Sequence, residues 1–281
     1  MRERAGVSGL RAELLARPGL EPPPRAGAWG TGLAIGGATL LYVAAFPLLG
    51  ISSDRLWQGF GELGTIFALM LPPSTGGHFW LYLDALGQTL SIALLGTLLA
   101  AVFALPLGFL AARNVVPNWV LHMLARRSLD TVRSIDALIW ALIWINVVGL
   151  GPFAGLLAIA TADIGALAKL MSEAIEAADR RPVEAVRACG GGRLQEIRFG
   201  LLTQILPVFA SQLLYFFESN TRSATIIGIV GAGGIGLHLY EQIRVLEWQQ
   251  AAFLILLVLI AVAIIDAVSQ RLRSALIGKR G

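Results

Sequence analysis

The sequence has few of the residues on which soluble proteins depend. Charged residues make up 14% of the 281 positions, whereas a soluble domain has about a quarter. The single cysteine, Cys189, excludes an internal disulfide and argues against a thiolate metal site. The three histidines are too far apart in sequence to indicate a metal motif, and no signature of a serine hydrolase, a zinc protease or a P-loop ATPase occurs. We therefore expect the chain to bind no cofactor or metal of its own and to have no catalytic residue.

Apolar residues are abundant, at 56% of the chain, and most of them fall in long uncharged runs. A helix that crosses a bilayer needs about 20 such residues. The pattern predicts an all-α membrane bundle of about six transmembrane helices, at 30–50, 86–112, 133–149, 152–176, 200–226 and 248–268. The sequence GLGP at 149–152 separates the third helix from the fourth, because Gly and Pro break a helix. The glycine-rich run 223–240 is predicted to be irregular.

The basic residues indicate how the helices are oriented. Lys and Arg are retained on the cytoplasmic side of a membrane. If the N-terminus is inside, all of the 22 basic residues lie inside except Arg55, Lys169, Arg222 and Arg244. We expect an inner-membrane protein with both termini in the cytoplasm. The net charge of +4 is then a topology signal and does not indicate a nucleic-acid partner.

A glycine-rich stretch, IVGAGGIGLHLYE at 229–241, contains a literal G-x-G-x-x-G. A dinucleotide-binding turn needs a second strand that carries an acidic residue about 20 positions further on. The chain has the apolar segment AAFLILLVLIAVAIID there instead. The dinucleotide interpretation therefore fails on context. Two alternatives remain: the glycines allow close helix packing, or they form irregular backbone that lines a path through the membrane.

Polar residues just before these glycines favour the path. Glu218 and Arg222 are spaced i, i+4, a favourable orientation for an ion pair. Ionisable residues inside a membrane usually face the bundle interior or a water-filled path. A guanidinium fork and unpaired glycine amides suit an oxyanion; alternatively, Arg222 is only the structural partner of Glu218. The predicted path or gate comprises Glu218, Ser219, Asn220, Arg222, Ser223, Thr225, Gly231, Gly233 and Gly234.

The segment 173–207 predicts two short helices joined by a tight bend. Pro182 suits the first turn of a helix, and the glycines at 190–192 suit its end. A second short helix is predicted to begin at Arg193. Such a unit is either a knob that inserts into a partner protein or an ordinary surface hairpin.

This segment resembles the EAA motif of ABC-importer permeases, which docks on the ATPase subunit. The match comprises Glu184, Ala185 and, at the motif's spacing, Gly190, while Val186 stands where the motif has its second Ala. In the second half, Leu202 matches, whereas Gly200 and Thr203 stand in place of Ile and Pro. The resemblance implies that Glu184, Ala185, Arg187 and Gly190 couple the chain to an ATPase.

A wider resemblance, to phosphonate-import permeases of the PhnE type, covers about 85–275. It is carried by VGLGPFAGLLAI, GALAKLMSEAIEA, FESNTRSATIIGIVGAGGIG and SQRLR. It implies a type I (MetI-like) ABC-importer permease for phosphonate or for phosphate, phosphite or a phosphate ester. The implied partners are a second copy of the chain, two ABC ATPase subunits that carry ATP and Mg, a periplasmic substrate-binding protein and membrane lipid.

We expect the chain to be divided into four parts. Residues 1–28 form a cytoplasmic lead, and 29–84 form the first transmembrane helix with a periplasmic segment. Residues 85–272 form the permease core with its coupling loop at 177–198, and 273–281 form a cytoplasmic tail.

Asp163 departs from the family pattern, which has neutral polar or His residues there. We expect it to face a basic partner, such as Lys169 of the second copy, unless the substrate is unusual. Two other classes of protein remain open. One is an ion-driven secondary transporter with Asp163 as its proton site, and the other is an integral-membrane enzyme for lipid phosphates centred on Arg222 and His238.

Overall fold

The computed structural model describes residues 28–48, 50, 52–116 and 118–277. Every regular element in these ranges is a helix, which confirms the all-α prediction. The predicted lead 1–28 lies outside the described residues except for its last position, and so does the end of the predicted tail, 278–281. The helices are α1 (Ala28–Leu48), α2 (Ser53–Leu69), α3 (Phe79–Ala111), α4 (Trp119–Arg133), α5 (Ala137–Val148), α6 (Pro152–Ala177), α7 (Arg180–Ala188), α8 (Arg193–Ala232), α9 (Ile235–Arg244) and α10 (Trp248–Ile277).

Four of these helices, α3, α6, α8 and α10, are long and apolar enough to cross a membrane. The pair α4 and α5 would provide a fifth span, although its two halves meet at an angle of 87°. The first predicted helix is present as α1, whose apolar part, Gly30–Phe46, is shorter than these spans. The described residues therefore form a bundle of the predicted membrane type.

The chain divides into two compact units, Met1–Ile66 and Phe67–Gly281. The first contains α1 and most of α2. The predicted periplasmic segment thus includes a regular helix, which begins with Asp54 in its first turn. The second unit contains all the remaining helices and every residue of the predicted sites.

Two helices, each begun by a side-chain cap, stand where the third helix was predicted to start. The Asn118 carboxamide oxygen accepts hydrogen bonds from the amides of Val120 and Leu121 at 3.0 and 3.3 Å, and it starts α4. The Asp136 carboxylate accepts from the Leu138 amide at 2.8 Å and starts α5. Because each cap satisfies amides that a continuous helix would pair internally, the chain forms two helices here. The predicted start at 133 is therefore wrong.

Small residues bring α3 and α6 close together. A Cβ added to Gly96 would lie 2.8 Å from Ile159 Cγ2, and one added to Gly108 would lie 2.7 Å from Met171 Cβ. Glycine at these positions lets the two backbones approach, as is common between membrane helices. The buried core lies around this contact and includes Ile92, Ala93, Ala100, Ala104, Ala158, Ile159, Leu167, Ala168, Met171 and Ile175.

The turn between α5 and α6 falls where GLGP predicted it. Gly149 and Gly151 have φ values of +91° and +137°, a region that residues with a Cβ rarely adopt. Pro152 then occupies the first turn of α6. The Gly151 amide donates a hydrogen bond to the Gly231 carbonyl at 3.1 Å. The turn is therefore attached to the glycine-rich stretch that follows the polar residues of α8.

Candidate functional site

The helix–glycine–helix unit predicted in the loop is present. The Asp179 carboxylate accepts from the Arg181 amide at 3.0 Å and begins α7, with Pro182 in its first turn. After α7, Gly190 has φ +79° and its amide donates to the Arg187 carbonyl at 3.0 Å. The second helix is not short, because α8 runs without interruption from Arg193 into a membrane span. We call the segment 180–201 the hairpin.

An ion pair and a close backbone contact hold the two arms of the hairpin together. Arg187 Nε and Nη2 donate to the two carboxylate oxygens of Glu196 at 2.8 and 3.0 Å. The hydrogen bonds to Glu196, and then its charge, raise the pKa of the Arg187 guanidinium. A Cβ on Gly200 would lie 2.8 Å from Val183 Cα, so only glycine allows this approach. The four predicted coupling residues are all exposed on this unit: Glu184, Ala185, Arg187 and Gly190.

The hairpin is also attached to the membrane helices. The Gln204 side chain donates to the Asp179 carbonyl at 3.0 Å and accepts from its amide at 3.1 Å. Arg193 Nη2 donates to the Val115 carbonyl, which follows α3, at 2.7 Å. A cavity of about 590 Å³ lies between the hairpin and residues 114–115. A displacement of the hairpin would thus reach α6, α8 and the end of α3. Sequence analysis missed Gln204 and Arg193, because nothing in their spacing indicates a partner.

The glycine-rich stretch is packed against α3 and α6. Gly231, Gly233 and Gly234 have φ values of +101°, +79° and +76°. The Gly234 amide donates to Gln88 Oε1 at 2.7 Å, and the next amide, of Ile235, donates to Thr89 Oγ1 at 2.8 Å. The prediction that the glycine amides are unpaired is therefore wrong for Gly234, because the Gln88 side chain of α3 accepts its hydrogen bond. This geometry agrees with the close-packing alternative.

The irregular segment is narrower than predicted. The irregular segment was predicted to span 223–240, but helical structure continues to Ala232. The last turn, Gly228–Ala232, is a π-turn with a kink at Gly231. A π-turn accommodates an extra residue without unwinding the helix. α9 then begins at Ile235. No strand precedes the glycines in the described part of the chain, and the dinucleotide interpretation is excluded by structure as well as by context.

Asn220 joins three membrane helices in the buried interior. Its side-chain amide donates to Thr97 Oγ1 of α3 at 2.8 Å and to the Asp163 carboxylate of α6. All three side chains are buried. The expected partner of Asp163, Lys169 of a second copy, stays a prediction; within one chain, Lys169 forms a 2.6 Å ion pair with Asp130 and the Asp163 carboxylate accepts a hydrogen bond from Asn220. Sequence analysis missed Thr97, which lies in a long uncharged run.

Glu218 has two arginine partners. Arg222 Nη1 lies 3.6 Å from Glu218 Oε1, which agrees with the i, i+4 pairing. The closer partner is Arg273 of α10, whose Nη2 donates to Glu218 Oε2 at 2.9 Å. Glu218 is 11% exposed and Arg222 51% exposed. Arg222 is thus the more accessible and less firmly held of the two arginines. Three further predicted residues on α8 are half-buried: Ser219, Ser223 and Thr225.

Comparison with known proteins agrees with this architecture. The family model "Binding-protein-dependent transport system inner membrane component" matches residues 104–277. The chain belongs to this family. It is 36% identical over 233 residues to the putative phosphite transport system permease HtxC of Stutzerimonas stutzeri, covering 83% of this chain and 82% of that protein. It is 38% identical over 235 residues to the phosphate-import permease PhnE of Mycolicibacterium smegmatis, covering 84% of this chain and 44% of that protein.

A solved structure shares the fold. The chain matches the inward-facing MetNI methionine ABC transporter with a TM-score of 0.63 at 21% identity, over 72% of this chain and 99% of that one. The binding-protein-dependent transport family thus has a MetI-like fold here, and the chain is a transport component of an inner-membrane system. The matched range 104–277 includes the hairpin and the polar side chains of α8, whereas α1 and α2 lie before it.

Proposed function

We propose that this chain is the membrane-spanning subunit of an ATP-driven importer for a phosphorus oxyanion: phosphonate, phosphate, phosphite or a phosphate ester. The names of the phosphite and phosphate permeases that it resembles support this substrate class. Two copies of the chain form the path, a periplasmic binding protein delivers the substrate, and both termini lie in the cytoplasm. Two ABC ATPase subunits bind ATP and Mg and perform the hydrolysis.

The hairpin is the observation that carries this proposal. It is exposed on its outer face, braced internally by the Arg187–Glu196 pair, and attached to the bundle through Gln204 and Arg193. A rigid knob of this kind can transmit the movement of a partner into α6 and α8. ATP binding and release on the partner would then alternate the bundle between its two access states.

Arg222 is the residue best suited to meet the substrate. Because Arg273 holds Glu218 at 2.9 Å, the Arg222 fork is only loosely engaged at 3.6 Å. Half of its side chain is exposed. A planar guanidinium with free donors binds a tetrahedral oxyanion through two parallel hydrogen bonds. Asn220 and Asp163 fix the helices behind it, and the glycines set the course of the backbone that follows.

Reconstitution tests the coupling role. The permease, its ATPase and its binding protein are placed in proteoliposomes, and uptake and ATP hydrolysis are measured together. Glu184→Lys reverses the charge on the exposed face of α7, and Gly190→Trp places a bulky residue at a positive φ. Both variants should abolish uptake and substrate-stimulated hydrolysis while the chain still inserts. The control is Glu247→Lys, an equivalent charge reversal at an exposed residue just before α10 and outside the hairpin. The ATPase should co-purify with this variant as it does with the wild type.

Normal uptake by either hairpin variant would show that the hairpin is not the coupling element. The two other classes of protein have their own signatures in the same assay. Metal-dependent phosphatase activity of the chain alone would indicate the enzyme. Uptake that collapses with the proton gradient while ATP is held constant would indicate the secondary transporter.

A further inference from the structure

A second cavity, of about 260 Å³, lies at the hairpin end of the bundle between α4, α6 and the residues after α3. Its titratable lining residues are Arg113, His122, Arg126, Arg127, Lys169 and one carboxylate, Asp130. None of these residues belongs to the hairpin or to the polar interior described above. The cavity is therefore a separate feature, and its lining is rich in hydrogen-bond donors.

Two of these donors are buried and lack an acceptor. Arg113 Nε donates to His122 Nε2 at 3.0 Å. Since Nε2 accepts, the proton of a neutral imidazole is on Nδ1. His122 is 4% exposed, and neither its Nδ1 nor Arg126 Nε has a hydrogen-bond partner among the described residues. Buried polar groups are almost always paired, so two orphaned N–H groups on side chains that line one cavity indicate a missing oxygen acceptor.

The charges around the cavity do not balance. Asp130 pairs with Lys169 at 2.6 Å, and Glu176 pairs with Arg126 at 3.0 Å. Arg113 and Arg127 form no ion pair within the described residues, and the hydrogen bond of Arg113 Nε is to the neutral His122. These two guanidinium groups thus have no carboxylate within ion-pair distance in the described part of the chain. The nearby carboxylates, Asp130 and Glu176, are already paired with Lys169 and Arg126.

We propose that this cavity binds a phosphate-class oxyanion through Arg113, Arg127, His122 and Arg126. Guanidinium forks match the paired oxygens of a phosphate group. The beginning of α4 exposes apolar side chains, among them Trp119, Val120 and Leu124. An amphipathic helix with such a face lies at a membrane surface beside lipid headgroups. This favours the phosphate of an anionic phospholipid, and free phosphate is the second source of the same chemistry. The site does not depend on which substrate the transporter carries.

The test uses the full-length chain and matched charge removals. Arg113→Gln combined with Arg127→Gln removes both unpaired cations, and His122→Phe removes the buried donor without changing the formal charge. Arg133→Gln is the control, because it removes an arginine from the same helix but outside the cavity. For the lipid arm, the protein is equilibrated with mixed phosphatidylcholine and phosphatidylglycerol, and the retained lipids are identified by native mass spectrometry. For the free-ion arm, inorganic phosphate is titrated calorimetrically against the protein in phosphatidylcholine nanodiscs.

The wild type and Arg133→Gln should bind equally. The double variant should bind at least about tenfold more weakly, since one charge-assisted hydrogen bond is enough for a factor of this size. His122→Phe should weaken binding without altering the preference for anionic over zwitterionic lipid. Retention of phosphatidylglycerol with no phosphate isotherm assigns the lipid source. A saturable phosphate isotherm that the double variant loses assigns the free ion, since phosphate bound at Arg222 would be unaffected by that variant. Absence of both, or an equal loss in Arg133→Gln, would overturn the proposal.

Discussion

The turns that follow α7 and α8 both contain glycine, and they need it for different reasons. Gly190 in the hairpin has φ +79°, and a Cβ there would meet nothing within 4 Å. Gly234 has nearly the same φ, +76°, but a Cβ there would collide with the Thr89 hydroxyl. At Gly190, glycine serves only the conformation of the chain. In the glycine-rich stretch it serves conformation and also the space between helices.

The difference distinguishes the hairpin, whose surface a partner can contact, from the glycine-rich stretch, which the packing of the bundle requires. Around Gly190 the hairpin is exposed, and its rigidity comes from the pair between Arg187 and Glu196. Around Gly234 the backbone amides are bound by Gln88 and Thr89. Substitutions of the exposed residues around Gly190 should therefore affect coupling more than folding, whereas those in the glycine-rich stretch should affect folding first.

The largest loss of stability is expected at Gly236, where the glycine-rich stretch is packed most tightly. A Cβ on Gly236 would overlap the Thr225 backbone carbonyl, and a carbonyl cannot rotate away as a side chain can. Gly236→Ala should lower the free energy of unfolding by at least about 3 kcal/mol, the upper part of the usual range for overpacking. Gly190→Ala should cost only about 1–2 kcal/mol, the price of a left-handed conformation. Thermal unfolding in detergent measures both.

Gly87→Ala is the control for this comparison. Gly87 lies within α3, and a Cβ there would meet nothing within 4 Å. Alanine in a helix interior stabilises by about 0.5–1 kcal/mol relative to glycine. If Gly236→Ala unfolds at the same temperature as Gly87→Ala, the close packing of the glycine-rich stretch is not a requirement of the fold.

A smaller difference in stability is expected between variants of the two arginines that pair with Glu218. Arg273 is 23% exposed and lies 2.9 Å from the carboxylate, whereas Arg222 is 51% exposed and 3.6 Å away. Arg273→Met should destabilise the chain by up to about 3 kcal/mol, since breaking a fully buried pair costs about 3–5 kcal/mol. Arg222→Met should change stability by less than about 1 kcal/mol and should reduce uptake instead.

The single variant Arg222→Met decides the role of Arg222, because it leaves the closer pair between Glu218 and Arg273 intact. Full uptake would show that Arg222 is only a structural partner. Reduced uptake with normal stability, and partial recovery in Arg222→Lys, would place its guanidinium in the substrate path, because Lys keeps the charge but loses the fork. Binding-protein docking and basal ATP hydrolysis should be unchanged in both variants.

Local chemistry predicted the hairpin well and the interior poorly. The hairpin is specified by neighbours in sequence: the cap at Asp179, Pro182 in the first turn and Gly190 after the end. The partner of Glu218 is different, because Arg273 is 55 positions away and the pattern of basic residues had assigned it to the cytoplasmic tail. Asn220, Thr97 and Asp163 likewise come from three separate helices. Contacts of this kind depend on how helices pack, and a single sequence does not give that packing.

Removal of the ion pair between Arg187 and Glu196 should affect coupling but not folding. Arg187→Ala leaves the Glu196 carboxylate without its bidentate partner, and the two arms can then move independently. We expect substrate-stimulated ATP hydrolysis to fall several-fold while the unfolding temperature stays the same, since the pair is near the surface. The exchange Arg187→Glu/Glu196→Arg should restore part of the coupling. If the exchange is no better than the single change, the Arg187 side chain contacts the partner directly and does not brace the hairpin.

The smallest perturbation tests which side of the membrane the hairpin occupies. Cys189 is the single cysteine of the chain and is exposed, directly after α7. A membrane-impermeant maleimide should label it in inside-out vesicles and not in cells whose outer membrane alone has been permeabilised. The experiment is done without the ATPase, which would otherwise cover the hairpin, and Cys189→Ser gives the background. Because the reagent adds to one surface thiol, neither stability nor insertion should change. Labelling from the periplasm would place the hairpin outside, where no ATPase can reach it, and the proposed coupling would then be impossible.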